Sequence, residues 1–234
     1  MSQWRAEQLQ LLIAEREPQQ LFDRALTLVQ EMDMTYLGLA LHIHLAASRP
    51  HTILYSNYPS DWLSYYANAD VLKADPVAAR CHQSTQAVMW TDEAYREVPV
   101  FRETACKHGL RHGWTQSVYD QRHNQTQMSV ARPTRPVQLG EFYESGARAL
   151  WLCHTLHGLL CEHHLASLAP VPKLTERELE VLKWSADGKT AADIARILTL
   201  STSTVNFHIR SVIAKTNASN KAGAIAIAAS RGLF

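Results

Sequence analysis

Between Thr202 and Thr216 a helical spacing puts Val205, Ile209, Val212 and Thr216 at i, i+4, i+7 and i+11, one apolar face. It leaves Ser203, Asn206 and Arg210 on the opposite, exposed face. Those three side chains suit nucleic acid. Arg can donate two bonds to guanine O6 and N7, Asn can pair with the adenine edge, and an α-helix fits the major groove. Lys189, Thr190, Thr202, Thr204, Lys215 and Lys221 offer ammonium and hydroxyl groups of the kind that bind phosphates and fix register without reading bases. The alternative is that all are ordinary solvated positions. For Arg210 and Asn206 the charge distribution weighs against it: beyond Asp193 there is no acid, while Arg196, Arg210, Lys215, Lys221 and Arg231 remain. The net charge of +1 hides this, because residues 171–234 carry nine Lys/Arg against five acids, leaving +4 there and −3 elsewhere.

Other reactive residue types are less suited to chemistry. Cys81-His82 and Cys153-His154 are sequence neighbours, but neighbours on a helix point about 100° apart, and no nucleophile elbow, phosphate loop or zincin pattern is present. An enzyme is therefore not expected. His154, His157, Cys161 and His164 fall within about 80° of one helix face, which raises a metal sensor as an alternative. A rigid helix spreads them over roughly 15 Å, so at most two or three could share one tetrahedral ion, and no metal or cofactor is expected. The four cysteines have no Cys-x-x-Cys spacing and no dense framework, so reduced thiols are expected.

The elements that must position these residues divide into two types. The segment Ala169-Pro-Val-Pro172 interrupts a long helical pattern and predicts a linker at about 167–173, between a domain of residues 1–166 and one of 174–234. Before it, helical patterns at about 3–16, 19–32, 75–84, 97–108 and 139–166 flank β-type runs at 35–44, 52–56, 112–119 and 126–131. An α+β fold follows, one antiparallel sheet with helices on both faces. The helix at 139–166, with leucines at 152, 156, 159 and 160, is expected to contact a second subunit as well as the sheet. After the linker, Thr175-Glu-Arg-Glu178 is a capping box with Leu174 and Leu179 as its staple. Gly188 stops that helix, Thr190 caps a second, Thr199-Leu-Ser201 turns into the third, and Asn220 caps a fourth that ends at Gly232. Four short helices with a three-residue turn between the second and third form a helix-turn-helix unit. At 46% apolar residues with no run of 18, the chain excludes disorder and a membrane span, and Met1–Gln10 shows no export signal, so the cytoplasm is expected.

The residues Thr175–Trp184, Asp187-Gly-Lys-Thr190, Ile194-Ala195, Leu200-Ser201, Thr204-Val205, His208 and Asn220-Lys221 resemble the LuxR-type helix-turn-helix nearly end to end. Thr216 departs from it, standing where relatives commonly have Leu. The front domain resembles the N-acyl-homoserine lactone receptors of that family through Asn57-Tyr58-Pro59, Trp62, Tyr65-Tyr66, Asp75-Pro76, Trp90, Gly109, Gly113 and Ser129. The resemblance implies an α/β/α sandwich enclosing the lactone, and homodimers that bind inverted-repeat promoter DNA, with RNA polymerase as a further partner. It also implies that the Trp62 indole donates to the lactone carbonyl, that Asp75 accepts the amide N–H, and that Tyr58 with Ser129 holds the acyl carbonyl. Tyr66, Trp90, Val77 and Ala40 would line the tail. The chemistry matches the donors and acceptors of those side chains. Each has a plainer use as well: the aromatics as core residues, and Asp75 as the N-cap of a helix. Val77 lacks a hydroxyl that some relatives place there, and Gln125-Thr-Gln-Met128 is more polar than the usual strand. A ligand-independent or metal-responsive regulator of the same fold is the runner-up.

Overall fold

The computed structural model describes residues 4–44, 51–168 and 173–233. The chain divides into two compact units, one chiefly of residues before Ala166 and one of the segment from Ala166 on. In the first, α1 (Ala6–Ala14) and α2 (Pro18–Gln30) lead into β1 (Tyr36–Ile43) and β2 (His51–Ser56). Then come α3 (Ser60–Tyr66), α4 (Ala69–Ala74), α5 (Pro76–Cys81), β3 (Val88–Met89), α6 (Pro99–Lys107), β4 (His112–Tyr119), β5 (Gln125–Arg132) and α7 (Leu139–Leu168). The sheet order is β2-β1-β5-β4-β3.

Alternation along the strands decides which layer each side chain joins. Leu37, Leu39 and Leu41 of β1, Trp114 and Val118 of β4, and Met128 and Val130 of β5 are buried against α1, α2 and α7. The intervening positions face the other way, where α3, α5 and α6 supply Trp62, Val77, Cys81, Phe101 and Ala105 around Ala131. This is the expected α/β/α sandwich. The leucines of α7 are spent inside it: Leu152, Leu156 and Leu160 are fully buried on the sheet, so the leucine stripe is not the subunit contact. Among the described residues, the large apolar side chains that α7 leaves exposed are Leu139, Tyr143, Leu150 and Trp151. Buried Arg132 ties the start of α7 down through a two-pronged pair with Glu141, at 2.6 and 2.7 Å, and a bond to Asp33 at 3.0 Å.

The second unit contains α8 (Glu176–Ala186), α9 (Ala191–Leu198), α10 (Thr202–Thr216) and α11 (Lys221–Ser230). Three starts have the expected cap, Thr175 with Glu178, Thr190 with Asp193 and Asn220 with the Gly223 amide, and Ser201 of the expected turn caps the remaining one through the Thr204 amide. Thr199, at φ 54°, makes the left-handed turn between α9 and α10. Of the expected linker, α7 extends through Leu168, and residues 169–172 lie outside the described residues.

Candidate ligand cavity and nucleic-acid interface

All eight residues expected around a ligand line one cavity on the α3–α5–α6 side of the sheet: Ala40, Tyr58, Trp62, Tyr66, Asp75, Val77, Trp90 and Ser129. The space open to the centres of water molecules is about 110 Å³. Its polar side is held by hydrogen bonds within the fold. The Trp90 indole donates to the Thr115 hydroxyl at 2.9 Å, Thr115 and Ser129 hydroxyls lie 2.8 Å apart, and Ser129 also hydrogen-bonds Tyr58. Burial pushes the Tyr58 hydroxyl well above its usual range, so it is a neutral donor at any physiological pH. Tyr58 reaches over the sheet because Gly38 has no side chain; a Cβ there would stand 2.4 Å from the Tyr58 hydroxyl.

Asp75 combines both readings of the sequence. Its Oδ1 accepts from the Val77 and Ala78 amides at 2.9 and 3.2 Å, capping α5, while Oδ2 accepts from the Tyr66 hydroxyl at 2.8 Å. Asp75 is thus paired within the fold, by the cap and by Tyr66. Burial still raises its pKa, and the hydrogen bonds offset that only in part. Trp62, 4% exposed, packs against the rings of Tyr65, Tyr66, Phe101 and His108, with centroids 5.5 to 6.0 Å away. The apolar walls include Val77, Tyr95, Phe101, Ala105 and Leu110.

Gly38, Thr115 and Gln127 line the cavity and were not expected to. Strand arithmetic could have found them, since β5 pairs Ser129 with Gly38 and Thr115, and Gln127 with Ala40. Two histidines of α7 are engaged within the fold. His157 Nδ1 lies 2.8 Å from the Thr126 hydroxyl and 3.6 Å from Cys161, and His164 lies 2.8 Å from the Tyr55 hydroxyl.

On α10, Ser203, Asn206 and Arg210 are exposed, opposite buried Val205, Val212 and Thr216. Thr216 tolerates burial by donating to the Val212 and Ile213 carbonyls at 2.7 and 3.2 Å. Among the described residues neither Lys189, Arg210 nor Lys221 forms an ion pair. Lys215 differs: its ammonium is held 2.7 Å from the Glu178 carboxylate, itself only 5% exposed. The reason is the buried charge of Glu178, which needs a cation. The Thr190 hydroxyl is likewise engaged, donating to Asp193 at 2.6 Å.

Residues 17–160 match the autoinducer binding domain, and residues 172–228 match the bacterial regulatory proteins of the luxR family. The chain is 32% identical to the regulatory protein SdiA of Escherichia coli, covering 88% of this chain and 86% of that one. It is 29% identical to the transcriptional activator AnoR of Acinetobacter nosocomialis over the whole of both. The crystal structure of Escherichia coli SdiA superposes with a TM-score of 0.83 at 30% identity, covering 98% and 97% of the two chains. A second structure, SdiA in complex with octanoyl-rac-glycerol, gives 0.80 at 28% identity, covering 100% and 98%. These relatives are regulators and not enzymes. A carboxylate and two hydroxyls beside apolar walls in one domain, with an exposed Asn/Arg helix face in the other, agree with them, and the chain belongs to the LuxR family of autoinducer-binding transcriptional regulators.

Proposed function

We propose that the cavity binds an N-acyl-homoserine lactone and that the loaded protein, as a cytoplasmic homodimer, binds inverted-repeat promoter DNA through α10 to regulate transcription with RNA polymerase. The observation that carries the ligand reading is the convergence of one buried carboxylate, the Tyr58–Ser129 hydroxyl pair and an indole on a cavity with mainly apolar walls. Asp75 accepts the amide N–H, Tyr58 and Ser129 donate to the acyl carbonyl, and Trp62 donates to the lactone carbonyl. A donor from the ligand lowers the cost of a buried charge that Tyr66 and the α5 cap offset incompletely. Ligand that binds only the native state stabilises it by about 2.7 kcal/mol at a hundredfold excess over Kd.

Thermal shifts across lactones with acyl chains of about 4 to 14 carbons test this, because each buried methylene adds up to about 0.8 kcal/mol until the space is full. A flat response throughout would sink the reading. The SdiA complex suggests a second amphiphile for the same assay, octanoyl-glycerol, whose hydroxyls can also donate to Asp75. A shift with octanoyl-glycerol and none with any lactone would replace the ligand class. For the dimer, the exposed Tyr143, Leu150 and Trp151 of α7 are the contact we favour. Leu150→Arg should yield monomers in sedimentation and weaken DNA binding, since two half-sites on one particle gain effective concentration. Two-fold symmetry then sets half-sites about 10 bp apart or a multiple of it.

A further inference from the structure

The floor of the cavity is a grid whose register limits where an acyl tail can run. Ser129 pairs with Gly38 on one side and Thr115 on the other, and two residues along Gln127 pairs with Ala40 and Ser117. Across β1, the Asn57 amide donates to the Leu37 carbonyl and His42 Nδ1 lies 2.9 Å from the Thr52 hydroxyl, which carries the Ala40 row on to Leu54. One end of that row is polar. The Gln127 amide donates to the Ala78 carbonyl at 3.3 Å, and behind it Gln125 donates to the Cys81 carbonyl and the Tyr119 hydroxyl, both at 2.6 Å. Methylenes gain nothing against a wall of engaged amides. At the other end Leu54 of β2 and Leu63 of α3 both line the cavity, yet they are 62% and 39% exposed.

We propose that the acyl tail turns away from Gln127, crosses Ala40 and leaves the cavity between Leu54 and Leu63, so that the site takes long acyl chains, and chains modified at their far end, without an upper length limit. This rests on the acyl-ligand reading above. Ala40 leaves the path open because its side chain stops at Cβ. From the Ser129 strand to the Leu54 strand is two strand spacings, about 10 Å, which an acyl chain of roughly eight carbons spans. Further carbons project past Leu54 into solvent, where they neither clash nor gain much from burial.

The test measures Kd by calorimetry on the full chain for hexanoyl- and dodecanoyl-homoserine lactone, and for a dodecanoyl lactone carrying a polyethylene-glycol-linked fluorophore on its last carbon. The expected result is that the tagged ligand binds within about threefold of the untagged one and that iodide quenches its fluorophore in the complex. Leu54→Asp should lower the ratio of dodecanoyl to hexanoyl affinity about tenfold, and Leu54→Ile should restore it. Loss of the tagged ligand by about a hundredfold while both untagged lactones bind would overturn the open tail path and leave the lactone reading intact. Failure of both untagged lactones to bind would overturn the lactone reading and this one with it.

Discussion

Each domain holds a carboxylate in the first turn of a helix, Asp75 at the start of α5 and Glu178 at the start of α8, and both accept a backbone amide. Burial pushes both towards the neutral form. Around Glu178 the Lys215 ammonium, the Thr175 amide and the Ser211 hydroxyl outweigh that, and its carboxyl falls to about 2. Asp75 has two amides and the Tyr66 hydroxyl but no cation, and its pKa stays raised. Part of the difference lies in the cation. At Asp75 hydrogen bonds from neutral groups offset the loss of water around the charge only in part, whereas at Glu178 such bonds act together with an ammonium at 2.7 Å. Glu178 is thereby a finished structural element, while Asp75 retains a charge that a ligand's donor can still stabilise.

The largest effect expected from this contrast is on the helix-turn-helix domain. Glu178 has a folded pKa below its unfolded value, so the stability it contributes is complete above about 4.5 and is lost as pH falls towards about 2. Its size is about 3 kcal/mol. Glu178→Gln should lower the domain's unfolding free energy by that order at pH 7 in urea titrations, and the difference from wild type should shrink towards zero near pH 2. A loss below about 0.5 kcal/mol would mean that the Lys215 pair behaves like an exposed one.

The second prediction separates the two lysine types on that domain. Arg210→Ala should cost about 1 to 3 kcal/mol on a site selected from random DNA and relax one base position. Lys189→Ala should weaken all sequences alike and reduce the salt slope by about 0.9. Lys215→Ala should act on stability instead. If its salt slope fell like that of Lys189→Ala, Lys215 would be a phosphate contact despite Glu178.

The two regions also differ in how much of them could be read from the sequence. Every helix of the second domain was legible, because its signals are local: a capping box lies within four residues, and Val205, Ile209 and Val212 declare the core face of α10 by spacing alone. What is not local is hidden there too, since Lys215 meets Glu178 only across 37 residues of chain. In the first domain the sandwich followed from the order of strands and helices. The cavity did not, because Tyr58, Asp75, Trp90 and Ser129 lie far apart in sequence and only a resemblance to a family linked them. Short elements such as α3 and the two-residue β3 were missed, since 7 residues of Ser60–Tyr66 carry too few turns for a periodic pattern. The leucines of α7 look alike whether they face a sheet or a partner, and spacing does not distinguish the two.

Asp75 supplies a third prediction, opposite in sign to the first. Its folded pKa lies above the ordinary 3.8, so the contribution of Asp75 to stability is greatest below that value and declines as pH rises through the raised one. Asp75→Asn keeps an oxygen for the cap and removes the charge, so its thermal stability should be flatter over the same range. The ligand should bind about tenfold more weakly, as expected when a charged acceptor becomes neutral. Unchanged affinity would show that the amide N–H is not donated to Asp75.

The smallest change in stability, and the most selective change in function, is expected at Gly38. A Cβ there would lie 2.4, 2.7 and 2.9 Å from Tyr58 Oη, Cζ and Cε2, all at the far end of a side chain that can move. Gly38→Ala should gain about 0.5 to 1 kcal/mol from reduced backbone freedom in the unfolded chain, and displacing the ring should cost a similar amount. Net stability then changes by less than about 1 kcal/mol, a few degrees in Tm. The Tyr58–Ser129 hydrogen bond, however, cannot survive a shift of the hydroxyl, and with it goes the donor pair proposed for the acyl carbonyl. Gly38→Ala should therefore lose most of the ligand-induced thermal shift while melting near wild type. Tyr58→Phe should do the same, and the double variant should be no worse than either single one, because both remove one interaction. Additive losses would mean that Gly38 matters for the room it leaves the tail and not for where it lets Tyr58 stand.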